Sequence, residues 1–320
     1  MNHIFVLSCG TRVSLLRAFK KSMQGQGRLI AGDCNPLAPA LYEADAHYVL
    51  PRIDAPEYLD VLLGICRKEQ ISGVLTLIDP EIAFLAANAD AFARIGVTAL
   101  VSSKEAALMS FDKMQMHDFC VENGFRTVAT YAELEAAEKA LEEGRLSFPL
   151  FAKPLCGSCS YMARRVEDLE HLRFLCGRYP QTIVQEFMPG NEIGADVYVD
   201  GVSGEVVSVF TKRKLLMRSG ETDKAVSFRD PRLFALICDF VKKANYRYQL
   251  DIDLFERDGE YYISEVNPRF GGGYPLAFEC GCDFPALILN NLRGIANAPQ
   301  VGEYPDGVRM MKYPEVKFLR

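Results

Sequence analysis

The chain has 320 residues, of which 49% are hydrophobic and 24% charged, and its formal net charge is −6. Such usage belongs to a globular protein rather than a disordered or fibrous one, and the acidic balance lacks the positive field of a general nucleic-acid binder. No apolar run approaches the roughly 18 residues of a membrane span and residues 1–10 lack the basic start of a signal peptide, so a cytoplasmic protein of two domains with reduced cysteines is expected.

In chain order, residues 4–7 are an apolar run ending in a turn at 8–11, and residues 12–21 have helical spacing with a basic end. Residues 28–31 and 73–78 read as further buried strands, and 56–68 and 81–94 as helices. Strands alternating with helices up to about residue 105 predict a doubly wound parallel sheet, with Gly10, Asp33 and Asp79 at the strand ends where ligands sit. Beyond that point the pattern changes to α+β. Residues 110–122 and 131–143 read as helices, 148–153 and 182–187 as strands, and 194–199 with 204–210 as a hairpin. Leu233, Leu236, Ile237, Phe240 and Val241 mark one helix face. A second hairpin is expected over 251–267.

That second hairpin carries the densest chemistry. A three-residue loop at 257–259, with Gly259 left-handed, would put Asp251, Asp253, Glu265 and Asn267 on one face. Hard oxygen donors grouped in this way suit Mg²⁺ bound together with phosphate. A solvated outer face fits the alternation equally well. A two-residue turn at Asp258 and Gly259 would instead separate Asp253 from Glu265, so the metal reading makes a demand on the loop.

Arg269 follows with Gly271, Gly272 and Gly273, which are expected to bring backbone N–H groups close to a ligand while Arg269 offers a fork to an anion. Lys153 ends an apolar strand and is followed by Gly157, Ser158 and Ser160, a short polar loop of the kind that covers phosphates. Lys113 lies in the first turn of the helix expected over 110–122 and by itself reads as a solvated residue. Neither segment matches the usual phosphate-loop or dinucleotide fingerprints. The Cys156/Cys159 pair and the Cys280/Cys282 pair lack a redox or zinc context, and the four histidines are isolated, so a histidine-based centre is not expected.

Taken in order, Phe111–Lys113, Pro149–Pro154 with its Gly/Ser loop, Val184–Glu192, and Asp253 with Glu265–Arg269 resemble the ATP-grasp superfamily. They are most similar to single-copy ligases like a carbamoyl-phosphate synthase large-chain synthetase unit. The resemblance covers nearly the whole chain. It implies an α/β Rossmann-like pre-ATP-grasp domain over residues 1–105 and an α+β ATP-grasp domain over 106–320, with a small subdomain at about 113–187 and a large one at about 188–320. It further implies that Lys113 and Lys153 contact ATP phosphates beneath the loop of Gly157, Ser158 and Ser160. Gln185, Glu186, Phe187 and Met188 would form the adenine hinge, and Glu192 would bind ribose. Where many relatives carry Glu at the first hinge position, this chain has Gln185. Asp253, Glu265 and Asn267 would hold Mg²⁺ or Mn²⁺, with spacing favouring Asp253 over Asp251. Arg269, joined by Lys212 or Arg213, would steady an acyl phosphate.

The activity implied is ATP-dependent ligation of a small-molecule carboxylate to an amine, without nucleic-acid or membrane partners and with a homodimer as a further expectation. The rival readings are a partner-dependent or non-catalytic nucleotide-binding subunit related to carbamoyl-phosphate synthase, and a phosphotransferase. Substrate choice is expected from residues 8–12, 33–37, 79–81, 212–224 and 270–279.

Overall fold

The computed structural model describes residues 1–157, 162–190 and 192–319. Strands β1 (His3–Leu7), β2 (Leu29–Asp33), β3 (Ala46–Val49), β4 (Ile71–Thr76) and β5 (Thr98–Ala99) form a parallel sheet in the order β3-β2-β1-β4-β5. The central strands are buried on both faces, as continuous apolar runs such as Ile4–Leu7 require. Helix Val13–Met23 packs through Leu15, Leu16, Phe19 and Met23, with Lys20 and Lys21 placed favourably in its last turn. The Asp33 carboxylate accepts from the backbone N–H of Gly10 and Asn35, tying together the loops at the carboxyl ends of β1 and β2.

Strands β6 (Thr130–Tyr131), β7 (Leu150–Pro154), β8 (Arg164–Val166) and β9 (Thr182–Glu186) make an antiparallel sheet in the order β6-β9-β7-β8. Helices Leu134–Glu142 and Leu169–Arg178 cover it through Ala137, Ala140 and Leu172.

The largest sheet runs β14-β13-β10-β11-β12-β15 and is antiparallel. Its strands are β10 (Glu192–Val199), β11 (Val206–Arg218), β12 (Glu221–Phe228), β13 (Tyr248–Arg257), β14 (Glu260–Asn267) and β15 (Arg309–Met311). Period-2 alternation divides its faces. Ile193, Ala195, Val197, Ile252 and Leu254 pack under helix Pro231–Lys243, which contributes Leu233, Ile237, Phe240 and Val241. Helix residues Ala106, Met116 and Cys120 join that same cluster. The opposite face carries Glu192, Asp196, Lys212, Lys214, Asp251 and Asp253. Helix Phe284–Asn291 then packs on helix Val13–Met23, so the last helices of the chain share a core with the first sheet.

The hairpin turn differs from the three-residue expectation. Arg257 pairs with Glu260 across a two-residue turn, with Asp258 at φ 55° and Gly259 at φ 75°, both in the left-handed region. By itself that turn would split the acidic face. A β-bulge at Ser264 shifts the register between Leu254↔Ile263 and Asp253↔Glu265, and Asp251 then pairs with Asn267. The four residues therefore share a face after all. Among the described residues, no helix is long and apolar enough to cross a membrane.

Candidate active site

A cavity of about 520 Å³ lies between the small sheet and the inner face of the large one. Its floor is the acidic face. Asp253 stands opposite Glu265, and Glu192 enters from the start of β10. Lys214, from β11, bridges two of these groups: its Nζ donates to Glu192 Oε1 at 2.7 Å and to Asp253 Oδ1 at 2.6 Å. Burial and the neighbouring Asp253 push the Glu192 carboxyl up to about 7. Burial opposes the charged form of Lys214, but Asp253 and Glu192 outweigh it and hold the ammonium above its ordinary range.

The roof carries the two expected lysines. Asp112 caps helix Lys113–Glu122 by accepting from Met114 and Gln115 N–H, and it forms a β-bridge to Cys156. Lys113 Nζ donates to the Gly157 carbonyl at 2.8 Å, so the helix start and the segment after β7 are fastened together. Lys153 projects from β7 into the same cavity. Burial pushes its ammonium down, Glu265 draws it back up, and Lys113 adds to the depression. Gly157 lines the cavity at φ 122°, a conformation suited to glycine. Ser158, Ser160 and Cys159 lie outside the described residues; Cys156 is a free, exposed thiol.

Gln185, Glu186, Phe187 and Met188 line one end. Gln185 is buried and donates from Nε2 to Thr130 Oγ1 at 2.8 Å, which ties β9 to the short strand beside it. Glu186 is held by Arg257. Phe187 stacks on Phe151 with ring centroids 6.0 Å apart and planes 4° from parallel, and Arg165 places its guanidinium 4.7 Å from the Phe187 ring. Met188 is nearly buried. Phe151 had no sequence signal as a site residue, because it sits in an apolar strand like any core aromatic.

Arg269 is fixed before any ligand arrives. Its Nε lies 3.0 Å from Asp79 Oδ1, Nη2 donates to Asp79 Oδ2 at 3.2 Å, and Nη1 donates to the Phe270 carbonyl at 3.2 Å and lies 3.5 Å from Asp251. Burial opposes its charge, yet Asp79 and Asp251 keep it protonated.

Two expectations need correction. Lys212 does not reach the cavity. Its side chain is 0% exposed and pairs with Asp196 at 2.5 Å, while Lys214, two residues on and on the same face, takes the position facing the cleft. Arg213 points to the other face, paired with Glu256 and lying over Phe228. The glycine run also works differently from the expectation. A Cβ at Gly271 would come within 2.4 Å of Asp251, and one at Gly273 within 2.4 Å of Lys212, so these two glycines make room for buried charged side chains. Only Gly272 of the three lines the cavity, beside Arg12.

In the sequence, Arg12 stands out only as part of the segment 8–12 expected to set substrate choice. It projects from the loop after β1, lines the cavity, and pairs with Glu221 at 3.0 Å; Lys312 holds the other Glu221 oxygen at 3.1 Å.

Among the described residues, no three His, Cys, Asp or Glu side chains come together closely enough to hold a metal by themselves. Asp253, Glu265 and Asn267 nonetheless offer hard oxygen donors on one face of the cavity. That donor set fits Mg²⁺ when phosphate oxygens and water complete its coordination.

A family model described as the PylC-like, N-terminal domain matches residues 4–100, and one described as ATP-grasp in the biosynthetic pathway with Ter operon matches residues 178–316. The chain carries an ATP-grasp domain behind a PylC-like N-terminal domain. No curated protein matches it in sequence. Solved structures share the fold of this chain at low identity. The biotin carboxylase domain of Hydrogenobacter thermophilus 2-oxoglutarate carboxylase, solved with MgADP, ADP and bicarbonate, superposes with a TM-score of 0.77 at 13% identity, over 96% of this chain and 73% of that one. N5-carboxyaminoimidazole synthetase from Staphylococcus aureus, complexed with ADP, gives 0.73 at 13% identity, over 94% and 79%. The L-amino acid ligase from Bacillus licheniformis gives 0.71 at 18% identity, over 93% and 75%.

Proposed function

We propose that the protein is an ATP- and Mg²⁺-dependent ligase that joins a small-molecule carboxylate to an amine through an acyl phosphate. In this reading residues 1–105 are the Rossmann-like domain and 106–320 the grasp. The observation that carries it is the convergence on one cavity of Lys113 and Lys153, the Phe151–Phe187 ring pair, a face of hard oxygen donors and a pre-fixed arginine.

A carboxylate is a poor electrophile until one of its oxygens carries a leaving group. An oxygen of the acid attacks the γ-phosphorus of ATP, and the bond from that phosphorus to the β–γ bridging oxygen breaks, releasing ADP. The amine nitrogen then attacks the acyl carbon, the acyl C–O bond breaks, and phosphate leaves as nitrogen sheds a proton to phosphate or solvent. Lys113 and Lys153 neutralise phosphate charge, and residues 185–188 hold the base with Phe187 beside its ring. Glu192 accepts from ribose hydroxyls. Asp253, Glu265 and Asn267 would hold Mg²⁺, which supplies charge stabilisation at the transferring phosphoryl oxygens. Arg269, already oriented by Asp79 and Asp251, lines the cavity and would offer its remaining N–H and its charge to the acyl phosphate.

The test is ADP release from Mg-ATP by the purified protein with pools of acids and amines. Release that requires both an acid and an amine supports ligation. Nucleotide binding without turnover under any pool would sink the reading in favour of a partner-dependent subunit.

A further inference from the structure

Lys214 stands where the ribose and metal subsites of the proposed reaction meet. Its side chain is 3% exposed, and its ammonium is shared between Glu192 and Asp253. The backbone is built to let it arrive there. Gly194 on β10 lies in register between Lys212 on β11 and Asp253 on β13. A Cβ at Gly194 would stand 2.9 Å from Lys212 Cε and 3.1 Å from Lys214 Cε. Glycine therefore opens the path by which a lysine stem crosses β10 to a carboxylate on the strand beyond.

Two opposing facts then meet at Asp253. Without a cation, Asp253 and Glu192 would repel each other, and Lys214 removes that repulsion. With a divalent cation on Asp253, the ammonium becomes a close like charge and must leave. A metal arriving alone has to break a buried ion pair, and no three acidic or imidazole side chains among the described residues await it. A metal arriving on a nucleotide brings its own phosphate ligands, and those same oxygens give the displaced ammonium a new partner.

We propose that Lys214 is a positioning residue that serves as the internal counter-ion of Asp253 in the metal-free protein. It makes the divalent cation bind with the nucleotide rather than before it. The proposal rests on the nucleotide reading above.

Mn²⁺ is the probe, titrated calorimetrically into the full chain with and without ADP. Without ADP, Lys214→Met binds Mn²⁺ at least about tenfold more tightly than wild type, because no ammonium has to be displaced. Lys214→Arg stays near wild type, and adding Asp253→Asn to Lys214→Met abolishes the gain. With ADP present the advantage of Lys214→Met disappears. Equal nucleotide-free affinities in wild type and Lys214→Met, or no measurable binding by either, overturn the proposal. Absence of Mn²⁺ binding to wild type even with ADP overturns the nucleotide reading instead. Should Lys214→Met fail to fold, Gly194→Ala displaces the lysine stem while keeping its charge, and a tighter nucleotide-free Mn²⁺ affinity is expected there too.

Discussion

Asp253 faces Glu265 directly across the β13–β14 hairpin, and the bulge at Ser264 makes it do so. The two-residue turn would otherwise set Ser264 opposite Asp253 and send Glu265 to the apolar face beneath helix Pro231–Lys243. The bulge is anchored from far away in sequence: Ile263 N–H donates to the Arg126 carbonyl at 2.9 Å, and Thr127 Oγ1 donates to the Ile263 carbonyl at 2.8 Å. Because Glu265 lines the cavity and lies outside the core clusters, Glu265→Ala should leave thermal unfolding within a few degrees of wild type while abolishing Mg²⁺-dependent ADP release. Wild-type turnover in this variant would remove Glu265 from the metal site.

The acidic face was legible in the sequence, but for an incomplete reason. A three-residue loop and a regular ladder place Asp253 and Glu265 on one side, and so do a two-residue turn and a bulge. The bulge has no local signature, since its anchor at Arg126 and Thr127 is about 136 residues away. The parallel sheet, the helix face of Leu233, Ile237, Phe240 and Val241, and the strand Thr182–Glu186 follow directly from apolar periodicity. Strand β12 does not, because Thr222, Asp223 and Lys224 are all polar and carry no apolar alternation. Thr222 and Asp223 are buried by neighbouring strands, which only the assembled sheet supplies. Period 2 puts Lys212 and Lys214 on one face, yet it cannot say which of them meets Asp196 and which meets the cleft.

The three glycines after Arg269 should separate by mechanism. Gly271→Ala and Gly273→Ala drive a methyl group to 2.4 Å from Asp251 and Lys212, in a packed region where little can give. Each should lower stability by about 1–3 kcal/mol, read by denaturant unfolding. At Gly272 the nearest atoms are the side-chain ends of Arg12 and Glu221, at 3.0 to 3.2 Å. Gly272→Ala should therefore keep wild-type stability and change the use of the acid or amine in the turnover assay. Equal destabilisation by all three would contradict this division.

The Asp196–Lys212 pair should behave as a structural ion pair. Lys212→Met leaves a buried carboxylate uncompensated and should cost about 3–5 kcal/mol, with part recovered in the Lys212→Met/Asp196→Asn double variant. Burial holds the Asp196 carboxyl up at about 6, against 3.8 for the free group, even with Lys212 beside it. As pH falls the folded chain takes up this proton before the unfolded chain does. The group's contribution thus favours folding increasingly from about pH 6 down to about pH 4, and is lost as pH rises through that window. Relative to wild type, Asp196→Asn should lose up to about one proton's worth of slope in unfolding free energy against pH over that range. An unchanged slope would place the titration elsewhere.

Asp79 and Arg269 join the first sheet to the end of the grasp hairpin through a two-point contact, with both side chains about nine-tenths buried. Asp79 opens helix Asp79–Ala87 at the carboxyl end of β4, where an open α/β sheet presents its ligand groups, but here it is spent on orienting the arginine. Asp79→Ala removes that partner and leaves Arg269 facing Asp251 and the Phe270 carbonyl. Breaking such a buried pair should cost about 3 kcal/mol of stability. It should also lower turnover of the folded protein by more than it weakens ADP binding, since the proposal gives Arg269 to the acyl phosphate and the nucleotide to residues 113, 153, 185–188 and 192. Turnover and ADP affinity falling by the same factor would mean that Arg269 supports the nucleotide instead. Isothermal titration with ADP, run beside the ADP-release assay at a temperature where the variant remains folded, separates the two outcomes.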